Sequence, residues 1–378
     1  MKRHAKLFLA ITAPIVIVLF CLIIAGYRYG LAPDSVSNLS VSTCYARMSL
    51  SWDSVPRATS YHIYASENDS SPVLIGRTDT NDCSFNYNEY KHDENYSFQI
   101  AAVAKNPLTG KENESVLSEP IQAKYDSSQY AQKIPILTYH GLCPEGVESK
   151  SSLTTPADHF EEEMKYLHDN GYRTLTPDEF YNWYKGIEDF PTKTVMITFD
   201  DGGYEVYYLA YPIIKKYNFA ATLFCIGNKT LETTNEYDPT SRKNDYVGMD
   251  VINKVRSEYP RFSFESHTFD MHKRVDGKKP AAVFTYDQIM EDISKNERFG
   301  YSYLAYPWGK YSDPFKEALK DSNYKMAFAY RPFYYALRTD DIYAVNRIKI
   351  GGRISLNTFA DIVQGNAVSK DNPEAPAQ

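Results

Sequence analysis

From about residue 134 onward the chain alternates short, almost wholly apolar runs with longer stretches in which apolar side chains recur every third or fourth position. The runs IPILTY, TVMITF, AATLFCIG, FSFES and YLAYP have the length of strands and are apolar on both faces, as parallel strands covered on two sides must be. The stretches between them predict helices. Thr155 reads as an N-cap with Pro156 at the first helical position, Phe160, Met164 and Leu167 as the buried stripe, and Gly171 as the stop. Thr176, Pro177 and Glu179 spell a capping box, and further helices are expected around 206–217, 250–258 and 286–296. Such alternation predicts an α/β domain over 127–365, a (β/α) barrel that need not reach eight strands.

Residues 31–126 are patterned differently. NLSVS, MSLSWD, SYHIYAS, PVLIGRT and YSFQIAAVA alternate polar and apolar positions between Ser, Asn, Asp and Pro, the period-two signature of an all-β sandwich. Upstream, Lys2, Arg3 and Lys6 precede an uncharged apolar run at 7–26, long enough to cross a bilayer as a helix. That run is long for a secretory signal, and Tyr27, Arg28 and Tyr29 stand where a small-residue cleavage site would be. Residues 1–30 therefore read as a cytoplasmic stub and a single-pass transmembrane anchor. The leading cations put the rest of the chain outside the cell membrane. The polar, Pro-containing tail at 366–378 reads as disordered.

Composition adds limits. A net charge of −7 over 378 residues, with no basic patch, argues against a nucleic-acid partner. The 33 tyrosines suit stacking on sugars, and they fill cores equally well. Of five cysteines, Cys21 lies in the apolar run, Cys225 reads as a small core residue and Cys143 has no assignment. Cys44 and Cys83 share the sandwich, where an oxidising exterior would permit a disulfide, but spacing alone does not decide it. Phosphate-binding glycine loops, a G-x-S-x-G elbow and internal repeats are absent from the sequence.

Candidate chemistry sits at the ends of two strands. TVMITF runs into Asp200, Asp201, Gly202 and Gly203, at the carboxyl end where α/β folds carry their sites. An Asp-Gly step there can also be no more than a turn. FSFES runs into HTFDMH, and the five-residue spacing of His267 and His272 suits a loop rather than one helix face. Two imidazoles and a carboxylate form a ligand set for zinc or a similar divalent cation, with coordination positions left open.

TFDDG and SHTFDMH resemble the first two motifs of the polysaccharide deacetylase family, also called the NodB-homology or carbohydrate esterase 4 family. The longer histidine spacing is similar to its poly-N-acetylglucosamine deacetylase branch, and the resemblance runs over residues 134–363. It implies a distorted (β/α) barrel in which Asp200 is the general base. It makes Asp201, His267 and His272 ligands of a divalent cation, zinc foremost, with cobalt, nickel or manganese as alternatives. The implied substrate is an N-acetylated polysaccharide, poly-N-acetylglucosamine or peptidoglycan.

Most of the family draws its general acid from a late histidine, but none follows His272 here, so the role falls to His140 at the mouth of the first strand, as in that branch. The third motif, an Arg-x-Pro-Tyr type turn, survives as Tyr306, Pro307, Trp308 and Gly309 without its arginine. Trp308 would supply a backbone donor and a wall for a sugar ring, and Arg347 in NRIKIGG could replace the missing cation beside Asp200. The pattern of Trp52, Tyr61, Tyr64 and Tyr96 resembles a fibronectin type III module, which implies a spacer or binding domain. The expectation is a membrane-anchored extracellular metal-dependent N-deacetylase. The missing arginine and late histidine keep open an alternative, a glycan-binding surface protein whose barrel has lost catalysis.

Overall fold

The computed structural model describes residues 31–366, apart from 69, 87–89, 108, 148–150, 233–244, 331–333 and 353. The expected anchor at 1–30 and the tail beyond Asn366 lie outside the described residues. Among the described residues no helix is long and apolar enough to cross a membrane. The chain divides into two compact units, Met1–Ser127 and Ser128–Gln378.

The first unit is all-β. Its strands are β1 (Ser40–Cys44), β2 (Arg47–Ser51), β3 (Ser60–Glu67), β4 (Val73–Thr78), β5 (Asp82–Asn86), β6 (Tyr96–Lys105), β7 (Glu112–Glu114) and β8 (Ile121–Ala123). One antiparallel sheet runs β1-β2-β5 and the other β4-β3-β6-β7, with β8 also on β6. Their inner faces meet where Phe85 of β5 stacks on Phe98 of β6 at 5.8 Å. Trp52 and Tyr61 are buried edge to face at 5.3 Å and are core aromatics, whereas Tyr64 turns outward to bond Glu114. Cys44 and Cys83 are free thiols. The register sets Cys44 opposite Arg47 and Cys83 opposite Leu50, on strands that flank β2 and at different heights along it, so they cannot pair.

The second unit alternates strand and helix. In order come β9 (Lys133–Ile134), β10 (Ile136–Tyr139), β11 (Leu142–Cys143), β12 (Thr155–Pro156), α1 (Ala157–Asp169), β13 (Arg173–Thr174), α2 (Pro177–Tyr184) and β14 (Thr194–Phe199). Then follow α3 (Tyr211–Lys216), β15 (Ala221–Cys225), α4 (Gly227–Glu232), α5 (Met249–Glu258), β16 (Phe262–Ser266), α6 (Tyr286–Ser294), β17 (Tyr303–Ala305), α7 (Asp313–Lys320), β18 (Met326–Phe328), β19 (Ala336–Leu337), β20 (Ile348–Lys349) and α8 (Leu356–Gln364).

Eight strands form one sheet, ordered β18-β17-β16-β15-β14-β10-β20 with β13 against the start of β14, and every pairing in it is parallel. Its two edges are tied through one segment, residues 345–349. Val345 bridges Phe328 of β18, and four residues later Lys349 pairs with Thr138 of β10. The result is a distorted barrel with seven strands around the ring.

Alternation along the strands sorts the interior. Val195, Ile197 and Phe199 of β14 pack outward with Phe160, Met164 and Leu167 of α1. Met196 points inward with Ile136, Phe224, Tyr303, Met326 and Phe328, and Phe180 and Trp183 of α2 close that end. Each such side chain contributes roughly 1.5–3 kcal/mol by leaving water. One step along, buried Thr198 and Thr138 form a hydroxyl layer, with Thr198 Oγ1 donating to the Leu137 carbonyl at 2.9 Å. The next inward positions are Asp200 and His140. The lumen thus passes from apolar to hydroxylic to ionisable toward the carboxyl ends of the strands.

Two local readings change. Thr155 does not cap α1, which starts after Pro156 with no side-chain cap, because Thr155 is taken by the parallel ladder to Leu142. The helix expected over 206–217 opens as a π-helical turn, Val206–Ala210, before α3, since Pro212 cannot donate the bond an α-helix needs there. The capping box of Thr176 and Glu179 forms as its sequence implies, with both reciprocal bonds present.

Candidate active site

The mouth of the barrel holds a cavity of about 240 Å³ lined by Asp200, Asp201, His140, His267 and His272, with Trp308, Gly309, Tyr330, Arg347 and two lysines among the remaining walls. Asp200 and Asp201 leave β14 in opposite directions. Asp200 continues the strand, its N–H bonded to the Tyr139 carbonyl at 3.0 Å, and points inward. Asp201 adopts a left-handed backbone (φ 76), as does Gly202 (φ 80), whose missing Cβ would sit 3.1 Å from Cys225 Cα. Left-handed aspartate costs about 1 kcal/mol or more and is tolerated where the surroundings hold it.

Asp200 is buried and paired. Arg347 donates from Nη1 to Asp200 Oδ1 at 2.7 Å and from Nη2 to Oδ2 at 2.8 Å, a bidentate fork, and Nη1 also reaches Thr198 Oγ1 at 3.3 Å. Both side chains are almost fully enclosed. Burial pushes the Asp200 carboxyl up, but the Arg347 charge, followed by His267, outweighs it and holds the group below the usual carboxylate range. Arg347 thus sets a cation beside Asp200, in a chain whose third motif lacks its arginine.

Asp201 faces histidines instead. His272 Nε2 lies 3.2 Å and His267 Nε2 3.4 Å from Asp201 Oδ1, and one ligand atom from each of the three residues falls within 4.8 Å of the others. Oδ1 is buried and, among the described residues, accepts no hydrogen bond of good geometry. His267 Nδ1 lies 2.8 Å from the Ala305 carbonyl, which can only accept, so Nδ1 carries the proton and Nε2 is left to coordinate. An orphaned carboxylate oxygen flanked by two such nitrogens fits a divalent cation of the zinc type. Burial raises the Asp201 carboxyl, but its interactions with His267 and then His272 hold it below the usual range. His267 is itself pushed up, with Asp200 and Asp201 overriding its burial, while burial and then His267 push His272 down.

The loop carrying the histidines is fixed from behind by a residue the motif reading missed. Asp292 of α6 accepts the N–H groups of Phe269 at 2.7 Å and Asp270 at 2.8 Å, clamping the turn that follows left-handed Thr268 (φ 68). Its burial raises its pKa to about 6 against those two bonds. The signal was legible in principle: a carboxylate on the buried stripe of an amphipathic helix, between Ile289 and Ile293. Glu205, also unanticipated, lies close behind Gly203 and is raised by burial to about 7, with nearby Asp201 and Asp245 adding to that shift.

The other expected site residues separate into two groups. His140 lines the cavity, its Nδ1 buried without a hydrogen-bond partner among the described residues, and burial lowers its pKa despite Asp200 and Asp201. Trp308 (φ 55) stacks on the His272 ring at 4.4 Å, and Gly309 is required because a Cβ there would meet Tyr330 at 2.2 Å. Tyr306 and Pro307 do not reach the cavity. The Tyr306 ring is fully buried against Phe315 and its hydroxyl donates to the Tyr343 carbonyl at 2.8 Å, since the strand alternation turns it toward the helices.

The polysaccharide deacetylase family model matches residues 187–327. The chain is 30% identical over 236 residues to YxkH of Bacillus subtilis, itself assigned to that family, an alignment covering 61% of this chain and 76% of YxkH. It is also 30% identical over 182 residues to a Staphylococcus aureus poly-beta-1,6-N-acetyl-D-glucosamine N-deacetylase, covering 45% of this chain and 59% of that protein. The solved Streptococcus pyogenes deacetylase PplD, in complex with acetate, matches with a TM-score of 0.50 at 26% identity, covering 61% of this chain and 98% of PplD. This chain belongs to the polysaccharide deacetylase family.

Proposed function

We propose that this protein is a metal-dependent N-deacetylase of an N-acetylglucosamine-containing polysaccharide, poly-N-acetylglucosamine or peptidoglycan, held at the outer face of the cell membrane. The observation that carries this reading is the convergence of Asp201, His267 and His272 within 4.8 Å, beside the Asp200–Arg347 pair on one cavity wall. A divalent cation held by those three residues, zinc foremost, would supply Lewis-acid polarisation of the acetamide carbonyl and of an attacking water.

The chain's own groups account for the proton traffic. Asp200, kept ionised and aimed by the Arg347 fork, accepts the proton of the attacking water. His140, neutral because burial lowers its pKa, has to gain a proton before it can give one to the departing nitrogen. Asp200 and His140 therefore act as successive stations of one relay, and amide plus water become amine plus acetate. Trp308 is too engaged with His272 to stack a sugar on both faces, so it serves as one edge of the acetamide pocket.

Arg347 removes one of the two motives for a barrel without catalysis, because the base has its cation. The relationship to a poly-N-acetylglucosamine deacetylase supports the substrate class, and the uncharged run at 7–26 behind three cations supports the anchor. The first unit serves as a spacer of fibronectin type III character between membrane and barrel.

The test is acetate release from N-acetylglucosamine oligomers by purified protein, abolished by a chelator and restored by zinc or cobalt. Glycan binding without acetate release under any metal would return the reading to a binding protein. Partition of the full chain into membranes, lost on deleting residues 1–30, tests the anchor.

A further inference from the structure

We propose that Lys279 and Lys349 make the mouth of this cavity selective for glycans bearing a negative substituent, a carboxylate or a phosphate, near the acetamido group. The inference rests on the deacetylase reading for where the glycan lies, and adds which polymers the site prefers.

Both lysines line the cavity that holds the histidine cluster, and both are half-buried. Among the described residues neither has a carboxylate within 4.0 Å, whereas Lys295, Lys316 and Lys325 each hold one. The carboxylates of the cavity are engaged elsewhere: Asp200 takes both terminal nitrogens of Arg347, and Asp201 faces His267 and His272. The walls thus carry Arg347, Lys279 and Lys349 against Asp200 and Asp201, inside a chain of net charge −7.

Lys349 has its backbone fixed by the sheet. It lies two residues beyond Arg347, on the same inward face by the period of a strand, with its Cα paired to Thr138 and the next N–H bonded to the Thr138 carbonyl at 2.9 Å. Lys279 enters from the loop ahead of α6, so the two cations reach the cavity from separate elements. A cleft whose charges sum to one sign, with low-dielectric walls, concentrates ligands of the opposite sign. A neutral homopolymer offers these ammonium groups hydroxyl and carbonyl oxygens but no counter-charge. A muramic acid carboxylate or a phosphorylated sugar supplies one.

Three soluble oligosaccharides of equal length distinguish the cases: a neutral N-acetylglucosamine oligomer, one with a free muramoyl carboxylate, and one carrying a phosphate monoester. Each is titrated calorimetrically into the full chain, with a chelator preventing turnover. At least one anionic oligomer should bind about tenfold more tightly than the neutral one at low salt, with the ratio falling as ionic strength rises. Comparison of the two anionic arms identifies the substituent. Lys279→Gln and Lys349→Gln should each shrink the ratio and together bring it toward one, while Lys→Arg at both positions should keep it. Equal affinity for neutral and anionic oligomers, or a preference that survives the double Gln substitution, overturns the proposal. Acetate release is assayed separately: an anion preference without acetate under any metal would remove the deacetylase reading and leave the anion selectivity standing.

Discussion

Asp200 and Asp201 are identical in chemistry and adjacent in the chain, yet they occupy opposite electrostatic regimes. Asp200 sits on the strand axis, sealed and neutralised by the Arg347 fork. Asp201, one left-handed residue later, is turned toward two imidazoles, and its buried Oδ1 has no hydrogen bond of good geometry among the described residues. One peptide unit and a reversal in the sign of φ separate a carboxylate paired with a guanidinium from one that faces two imidazoles.

The contrast can be broken most strongly at Asp200. Asp200→Asn should cut acetate release by about a thousandfold while zinc content, read by elemental analysis, stays at the wild-type level. Asp201→Ala or His267→Ala should lose zinc and turnover together. An Asp200→Asn protein of normal rate would remove the base from its role.

Next in size is the removal of Arg347. Arg347→Ala strands a buried carboxylate, and the denaturant midpoint of the barrel unit should fall by an amount equivalent to about 3–5 kcal/mol. Combining it with Asp200→Asn should restore much of that loss, since the remaining amide carries no charge. Equal losses in the single and double variants would mean that the pair is not what stabilises this wall.

Asp292 acts at one remove, through the loop. Asp292→Ala should weaken zinc binding about 10- to 100-fold with a smaller effect on melting, whereas Asp292→Asn, able to accept only one of the two N–H bonds, should fall between. If Asp292→Ala melts early but holds zinc normally, the clamp serves the fold alone.

The smallest effect is one of pH. Asp200 and Asp201 raise His267 above the ordinary imidazole value, so its proton competes with a cation, whereas Asp201 is already ionised and His272 already inclined to neutrality. Zinc affinity should therefore decline by about tenfold per pH unit once pH falls below the raised His267 value, and so begin its decline above about 6.5, with close to one proton released per ion bound. Titration calorimetry in buffers of different ionisation heat reads that proton directly.

Much of this was legible in the chain because strand alternation and motif spacing agree. TVMITF forms β14 over the residues expected, and the histidines that follow FSFES meet the aspartate that follows TVMITF, because β16 and β14 both flank β15. Arg347 could be named as a candidate from charge alone, but not its geometry, since β20 is two residues long and carries almost no periodic signal. Tyr306 misled because a motif match says nothing about which face of a strand a residue occupies. Thr155 misled because a nonlocal ladder outcompeted a local cap. Asp292 escaped attention because its role is to accept main-chain N–H groups, which no side-chain motif records.

The segment that closes the barrel also supplies the guanidinium on Asp200 and the lysine beside it. A chain growing from its N-terminus therefore holds Asp201 and both histidines of the cluster by residue 272 but cannot shut the ring, or neutralise the acid at position 200, until position 347 has been polymerised. A premature stop between His272 and Val345 would yield a protein with its histidine cluster encoded in full, an open sheet edge and an uncompensated carboxylate facing the lumen, a form suited to degradation rather than to partial activity.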